Sequence, residues 1–593
     1  MNGSALKAWW RKHPFISQVV TYLAPFALLP LVHRNPYHLD VLTGVGIYAI
    51  LALGLNVIVG TAGLLHLGYA AFFAIGAYSY ALLNIHADCP FWLGLPASGV
   101  AAMALGTLIA VPSIRVRGDY LAITTLGFGE IVRITVNNLD EWTGGPNGLL
   151  GIDRPSLPMH GPDGWTLRSF SVDPLPYYYL VLAMTAAIAY LLFRLSDSKI
   201  GRALTAIRED ELAAGCMGVP VLRTKITAFA LGSFIAGLAG AVYASKQTII
   251  SPDSFDFVLS VLILAMVVLG GMGNIWGAAL GAFVLGVLPE VLREFAAYRM
   301  LLFGLIMILM MIFRPQGILG GQLIRRELRP VRREVSDGAA EVKGASKSYG
   351  GVAPLKNMDL VIHAGEIVSL IGPNGAGKTS FFNCVTGLAR IDAGRIAFDG
   401  GRVRLDGLAP ERILRAGVAR TFQNLRIFRN MTVLENVAIG YHSRTRSGLL
   451  DAILRTRRHR VEEMKTLRES LELLGWIGLN EQANEIAGCL SYGDQKRLEI
   501  ARALACGPRL LLLDEPVAGM NPTEKSAISA VIRRIRDRGI SVFLIEHDMK
   551  VVMPLSDRVV VMDDGRKIAE GPPDKVQCDP RVIAAYLGEP GDA

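Results

Sequence analysis

The sequence predicts a multi-domain chain: a polytopic α-helical membrane domain followed by an α/β P-loop domain. Three observations predict it. Charged residues nearly vanish from long parts of the first half: only Arg34, Asp40 and Asp88 between Pro14 and Ser113, and only Lys246, Asp253 and Asp256 between Ala228 and Leu288. The oily run then stops in RPQGILGGQLIRRELRP (Arg314–Pro330), where Arg325, Arg326 and Arg329 arrive together and Arg332 and Arg333 follow. Beyond that point charges are dense, and the strand-like run Glu366–Gly372 opens into GPNGAGKT (Gly372–Thr379) ahead of a helical pattern. With 593 residues, 51% hydrophobic and 19% charged, the chain is long enough for several domains.

A spanning helix needs about 20 mostly apolar residues, because lipid offers its backbone no hydrogen-bond partners. Candidate spans are 16–32, 41–59, 62–83, 91–112, 119–138, 177–195, 224–244, 256–271, 275–292 and 300–313. That is about ten, an even number, so both ends of the membrane domain are expected on one side. Lys7, Arg11 and Lys12, the loop 196–223 with Lys199, Arg202, Arg208 and Arg223, and the arginine-rich junction then all fall inside, in accord with positive-inside bias. The short last span and the turn GGMGN (Gly270–Asn274) fit this pattern least and are open to a re-entrant reading. Glycine and alanine crowd the helices, at 54–78 and 277–286. Small residues let helix backbones approach closely, and that ordinary reading is preferred over a substrate path lined by broken helices. The external stretch 139–176, containing TGGPNG (Thr143–Gly148), is the longest outside and is open to a periplasmic partner.

The net charge of +9 is absorbed by this inside bias. No repeat of aromatic and basic residues accompanies it, so nucleic acid is not an expected partner. The six cysteines (Cys89, Cys216, Cys384, Cys489, Cys506 and Cys578) form no C-x-x-C pair and have no histidine cluster beside them, which argues against a metal site. Five lie in segments assigned to cytoplasm, where disulfides are not expected. Cys384, just after the phosphate-loop helix start, reads as a small buried side chain. No cleavable signal peptide is expected.

The phosphate loop stands in its required strand–loop–helix context. Gly372, Pro373, Asn374, Gly375, Ala376, Gly377, Lys378, Thr379 and Ser380 are expected to turn backbone N–H groups onto phosphate oxygens at a helix start. Lys378 reaches the β- and γ-phosphates of ATP, and the Thr379 hydroxyl ligates Mg²⁺. In RLLLLDEP (Arg509–Pro516) four leucines make a buried strand of the parallel-sheet kind. Asp514 at its end holds Mg²⁺, and Glu515 orients or deprotonates the attacking water.

The stretch CLSYGDQKRLEIARAL (Cys489–Leu504) resembles the signature of ATP-binding cassette (ABC) ATPases, Leu-Ser-Gly-Gly-Gln before a helix. Leu490, Ser491, Gly493 and Gln495 align with it; Tyr492 replaces the first glycine, and Asp494 is extra. The resemblance covers about 340–588 and implies further roles. Tyr349 in SKSYGG looks like the adenine-stacking aromatic. Gln423 in TFQNLRIF looks like the loop glutamine that senses Mg²⁺ and contacts a permease. His547 in LIEHDM looks like the switch histidine at the γ-phosphate, and AGMN (Ala518–Asn521) looks like the loop between paired ATPases, with Asn521 where many members carry Asp. Ser491 and Gly493 are implied to close over ATP held by the Lys378 of a second ATPase.

SYGDQKRLEIARAL, IEHDMKVVM (Ile545–Met553), the insertion 441–480 and the terminal VIAAYLG (Val582–Gly588) resemble more narrowly the ATPase of branched-chain amino acid ABC importers. The first half resembles the matching permease in GLNVIVGTAGLLHLGYAAFFAIGAY, VRGDYLAITTLGFGEIVRITVNN (Val116–Asn138), TGGPNGL, GRALTAIREDELAAGCMGVPV (Gly201–Val221) and RPQGILG. The implied organisation is a permease at 1–320, a linker at 321–340 and the ATPase at 341–593. The implied setting is a bacterial inner membrane with the ATPase in the cytoplasm. Implied partners are a second permease and a second ATPase (or a second copy of this chain) and a periplasmic or extracellular solute-binding protein. Urea, short amides and aromatic carboxylates are alternative ligands within the same architecture. An exporter and a tethered ATPase that moves nothing are the competing classes; about ten spans and the Gly201–Val221 segment weigh against both. That segment has Ala203, Leu204, Ile207, Leu212 and Ala214 at roughly helical spacing and is expected to dock as an apolar stripe.

Overall fold

The computed structural model describes residues 18–19, 21–32, 35–113, 119–161, 164–170, 174–293, parts of 304–319, and 339–587. The chain forms two compact units. One comprises Met1–Arg208 and Leu222–Leu323; the other comprises Ile324–Ala593 together with the short segment Glu209–Val221. The junction arginines and most of the expected linker 321–340 lie outside the described residues.

The first unit is a helix assembly. Among the described residues six helices are long and apolar enough to cross a membrane: Pro36–Thr61, Tyr69–Ala87, Phe91–Pro112, Leu175–Ser196, Val221–Gln247 and Pro252–Gly270. Ile275–Val291 is a shorter apolar helix. The expected count of about ten is not confirmed among the described residues. Asp119–Asn138 does form a helix, but Glu130, Arg133 and two asparagines leave it outside the apolar set. Of the expected first span only Ala24–Val32 is a described helix of any length, and most of 300–313 lies outside the described residues. The expected span 62–83 needs correction at its start. The preceding helix ends in a π-helical turn at Asn56–Thr61, residues 62–68 are not helical, and the next helix begins at Tyr69.

The helix starts follow from local chemistry. Asn35, Asp256 and Asn274 each accept a hydrogen bond from a first-turn N–H, at 3.0, 2.8 and 3.0 Å, which satisfies donors no helix can pair internally. GGMGN makes a tight helical hairpin: Gly271 and Gly273 have φ of 115° and 87°, and a Cβ on Gly270 would meet the Gly277 carbonyl oxygen at 1.9 Å. Elsewhere too the glycines mark close backbone approach. A Cβ on Gly76 would meet the Gly237 Cα at 2.4 Å, and one on Gly54 would meet the Tyr69 hydroxyl at 2.1 Å, which itself donates to the Gly232 carbonyl at 2.7 Å. The 139–176 stretch carries structure of its own. Leu149–Leu150 pairs with Ile249–Ile250, and Ser156–Gly161 forms an antiparallel hairpin with Gly164–Ser169.

The second unit is built on a six-stranded sheet. Five strands run parallel in the order Val418–Arg420, Leu510–Asp514, Ser541–Ile545, Ile367–Ile371, Arg558–Asp563, and Arg566–Gly571 closes the edge antiparallel. Every residue of the first four strands is buried, which is why they read as continuous apolar runs rather than alternating ones. A second, antiparallel sheet pairs Val352–Ile362, Ala340–Tyr349, Ala393–Phe398 and Val403–Arg404. Between the sheets, Phe381 and Phe382 of the phosphate-loop helix Lys378–Val385 pack on Phe543 at ring distances of 6.0 and 4.9 Å. A helical layer follows, including Val433–Gly440, the inserted helices Leu449–Leu454 and Arg457–Ile477, and Tyr492–Ala505. All six cysteines are free thiols.

Candidate functional site

The phosphate loop leaves an interior strand of the parallel sheet, Ile367–Ile371. Two of its glycines are demanded by geometry. A Cβ on Gly372 would meet the Met562 carbonyl oxygen at 2.0 Å, and one on Gly377, at φ 97°, would meet that of Pro354 at 2.0 Å. Helix Lys378–Val385 begins directly after Gly377, so the N–H groups of its first turn have no intrahelical acceptor and Thr379 and Ser380 ride on that turn. Lys378 Nζ donates to the carbonyls of Gly372 and Pro373 at 2.6 and 2.8 Å. Burial holds its ammonium below the ordinary value, against the opposing pull of Glu515 and Asp514.

Beside the loop stands a cluster of acids. Asp514 ends its strand buried, and its carboxyl is pushed up to about 6, by burial first, with Arg420 pulling the other way. Its Oδ2 faces Arg420 Nη2 at 3.3 Å, whereas its Oδ1 has no hydrogen-bond partner. Glu515 turns out of the strand at φ 47°, anchored by its N–H to the Ile545 carbonyl at 2.9 Å. Gln423 Nε2 donates to Glu515 Oε1 at 3.2 Å, and His547 Nδ1 lies 3.8 Å from Glu515 Oε2. Lys378, Gln423, Asp514, Glu515 and His547, read separately from the sequence, are therefore gathered around one place. A hard cation fits it: Asp514 Oδ1, on a buried carboxylate, is unpaired, and the Gln423 amide belongs to the same cluster, so oxygen donors suited to such an ion are present.

Other expected contacts are not joined to this cluster within the chain. Ser491 caps helix Tyr492–Ala505, its Oγ accepting from Asp494 N–H at 3.2 Å and donating to Asp494 Oδ2 at 2.7 Å. Gly493 packs on Glu524. Tyr349 is half exposed, with Lys347 Nζ 5.1 Å from its ring centre. None of the three has a hydrogen bond to the phosphate loop among the described residues. Sequence reading missed Arg420, which also donates to Asn383 Oδ1 at 2.8 Å and Thr386 Oγ1 at 2.9 Å and so ties Asp514 to the phosphate-loop helix. It missed Glu546, whose Oε1 accepts the Val517 N–H at 3.0 Å. Arg420 lies three residues before Gln423 and Glu546 directly before His547; only that adjacency could have flagged them.

Segment Glu209–Val221 belongs to this second unit. It is not one continuous helix. Lys199–Glu209 stops, Asp210 caps the next helix by accepting Ala213 N–H at 2.9 Å, and Glu211–Cys216 follows. Of the expected stripe, Ala203, Leu204, Ile207 and Ala214 are buried, but Leu212 is 40% exposed, because the break at Asp210 resets the helical phase. Asp210 Oδ2 pairs with Arg426 Nη1 at 2.7 Å, Glu209 accepts from Asn430 Nδ2 at 2.6 Å, and Gly218 packs against Ser443 and Leu414.

The fold and the gathered site define an ATP-binding cassette ATPase carried on one chain with a multi-pass membrane domain. The family described as "ABC transporter" matches residues 355–518, "Branched-chain amino acid transport system / permease component" matches 37–312, and "Branched-chain amino acid ATP-binding cassette transporter" matches 566–592. The high-affinity branched-chain amino acid transport system permease protein LivM of Escherichia coli is 46% identical over 294 residues, covering 47% of this chain and 69% of that protein. The corresponding ATP-binding proteins BraF of Pseudomonas aeruginosa and LivG of E. coli are 42% and 44% identical over 250 and 249 residues, each covering 42% of this chain and 97% of the relative. The chain belongs to the branched-chain amino acid ABC transporter family, with permease and ATP-binding components fused in one polypeptide, and it hydrolyses ATP.

Proposed function

We propose that this chain is the combined permease and ATPase of an importer for leucine, isoleucine and valine. It would sit in a bacterial inner membrane with the ATPase in the cytoplasm, and take its ligand from a periplasmic or extracellular binding protein. The single observation that carries this reading is the union on one chain of two matches to separate components of one kind of transport system. On this reading the permease domain is 1–320, the linker 321–340 and the ATPase domain 341–593. A complete transporter then needs a second permease and a second ATPase, either related chains or another copy.

ATP is held by Gly372–Ser380, with Tyr349 against the adenine. Mg²⁺, which neutralises charge on the phosphates when bound, is held by Thr379 Oγ1, Asp514 Oδ1 and Gln423. Glu515 orients the attacking water and accepts its proton, and His547 keeps Glu515 and the γ-phosphate in register. Ser491 and Gly493 act on the partner's nucleotide, which explains why they stand apart from this chain's own loop. Closure of two ATPases moves Glu209–Val221, and that segment carries the motion into the membrane domain.

The test is uptake into proteoliposomes with the cognate binding protein outside. ATP-dependent leucine accumulation supports the reading. Binding of urea or an aromatic acid with no leucine binding assigns a different ligand to the same architecture, and outward movement makes it an exporter.

A further inference from the structure

Helix Tyr492–Ala505 carries three charged residues on one face, Lys496, Glu499 and Arg502, and all are almost fully buried. Such residues are rarely buried unless they are paired. Here their partners are mainly the backbone of a single loop, Phe422–Phe428. Lys496 Nζ donates to the carbonyls of Phe422 and Gln423, both at 3.3 Å. Glu499 Oε1 accepts the N–H groups of Phe422 and Arg426, at 3.3 and 3.5 Å. Arg502 donates to the Arg426 carbonyl and lies 4.7 Å over the Phe428 ring. Lys496 and Glu499 also face each other at 3.7 Å.

Two side chains leave the clamped loop in different directions. Gln423 reaches Glu515 in the nucleotide site, and Arg426 reaches Asp210 in the Glu209–Val221 segment. The clamp is not saturated: Glu499 Oε2 and Arg502 Nε and Nη1 have no hydrogen-bond partner. Buried polar groups left unpaired are rare enough to need an explanation. Spare donors and acceptors allow the loop to be re-paired in a second arrangement, which an apolar clamp of the same shape does not offer.

We propose that Lys496, Glu499 and Arg502 are positioning residues that lock loop Phe422–Phe428 to the Ser491-capped helix, so that motion of that helix displaces Gln423 and Arg426 together. Through this clamp one loop reports on both nucleotide sites: its own through Gln423, and the partner's through the helix that Ser491 caps. The inference rests on the reading that Glu209–Val221 transmits ATP-driven motion.

The experiment uses the full chain with its partner subunits in lipid nanodiscs. Amide hydrogen exchange of the peptide 209–221 is followed with and without a non-hydrolysable ATP analogue and Mg²⁺. Removing one member of a buried ion pair can unfold a domain, so the double variant Lys496→Met/Glu499→Gln removes both charges while Gln keeps an acceptor. Analogue affinity within about threefold of the parent is the folding control, and Lys496→Arg, which keeps the donors, is the conservative rescue. The parent should show a nucleotide-dependent change in 209–221; Lys496→Arg should keep it, and the double variant should lose it by about tenfold, in the range of coupling seen for contacting residues. Arg426→Ala should lose it equally, and adding Arg426→Ala to the double variant should cost nothing further. A parent with no change overturns the transmission reading and this inference with it. A parent with the change, combined with a double variant that keeps it or an additive triple variant, overturns the clamp alone.

Discussion

Gly218→Val is expected to disconnect transport from hydrolysis. Gly218 sits at φ 84°, and a Cβ there would meet Ser443 Cβ at 2.8 Å and Leu414 Cδ2 at 2.9 Å. Two costs therefore act together. Holding a β-branched residue in the left-handed region costs about 1–3 kcal/mol. Forcing extra methyl groups into filled space costs about 1–3 kcal/mol more. The sum, about 2–6 kcal/mol, falls on the seating of Glu209–Val221 against Pro410–Ala416 and Tyr441–Arg444, away from the phosphate loop. At about 4 kcal/mol the seated fraction falls roughly a thousandfold relative to the unseated one. Uptake should collapse while ATP affinity stays within about twofold, with both measured on the same reconstituted complex. Leu212→Ala is the control: the residue is 40% exposed, so its effect should stay well below that of Gly218→Val, near the ~0.5 kcal/mol of ordinary surface changes. Coupled uptake near the parent level in Gly218→Val would refute the argument that this segment's seating matters.

Glu515→Gln should keep ATP binding and slow hydrolysis by about 10²–10⁴-fold, the usual contribution of a general base; single-turnover phosphate release measures it. Arg420→Met leaves the buried Asp514 carboxylate without its ion-pair partner and should destabilise the ATPase unit by about 3–5 kcal/mol, read by denaturant unfolding. Asp514 gives a pH signature of defined sign. Its folded-state value is raised from 3.8 to about 6, so the folded form binds the proton more tightly, and its contribution to stability falls as pH rises from about 4 to 6. That interval corresponds to about 3 kcal/mol. Asp514→Asn should remove this part of the pH dependence in nucleotide-free protein; an unchanged profile counts against it.

Much of this protein is local and therefore legible in the sequence. A phosphate loop is a run of contiguous backbone, so Gly372–Ser380 announces itself, as do the buried strand ending at Asp514 and the scarcity of charge across the apolar helices. Glu515 is legible from its place after a buried strand, and Gln423 and His547 from resemblance, each in a separate stretch. Their convergence depends on strand order, because Leu510–Asp514 pairs with Ser541–Ile545, which pairs with Ile367–Ile371. Spacing along the chain contains nothing of that order.

Tertiary structure alone decided the rest. Arg420 reads as one more basic residue until it is seen buried between Asp514, Asn383 and Thr386. Helical periodicity carried one stripe through Gly201–Val221, but Asp210 accepts its own cap hydrogen bond and breaks the helix, turning Leu212 outward. Lys496, Glu499 and Arg502 look like the solvated face of a charged helix, since burying such groups is costly unless they are paired. Their partners are the backbone groups of a loop some 70 residues earlier in the chain, and backbone N–H and C=O groups are the same at every position. A sequence fixes which side chains can pay a desolvation cost; which anonymous backbone atoms offset it is settled only when the chain has folded.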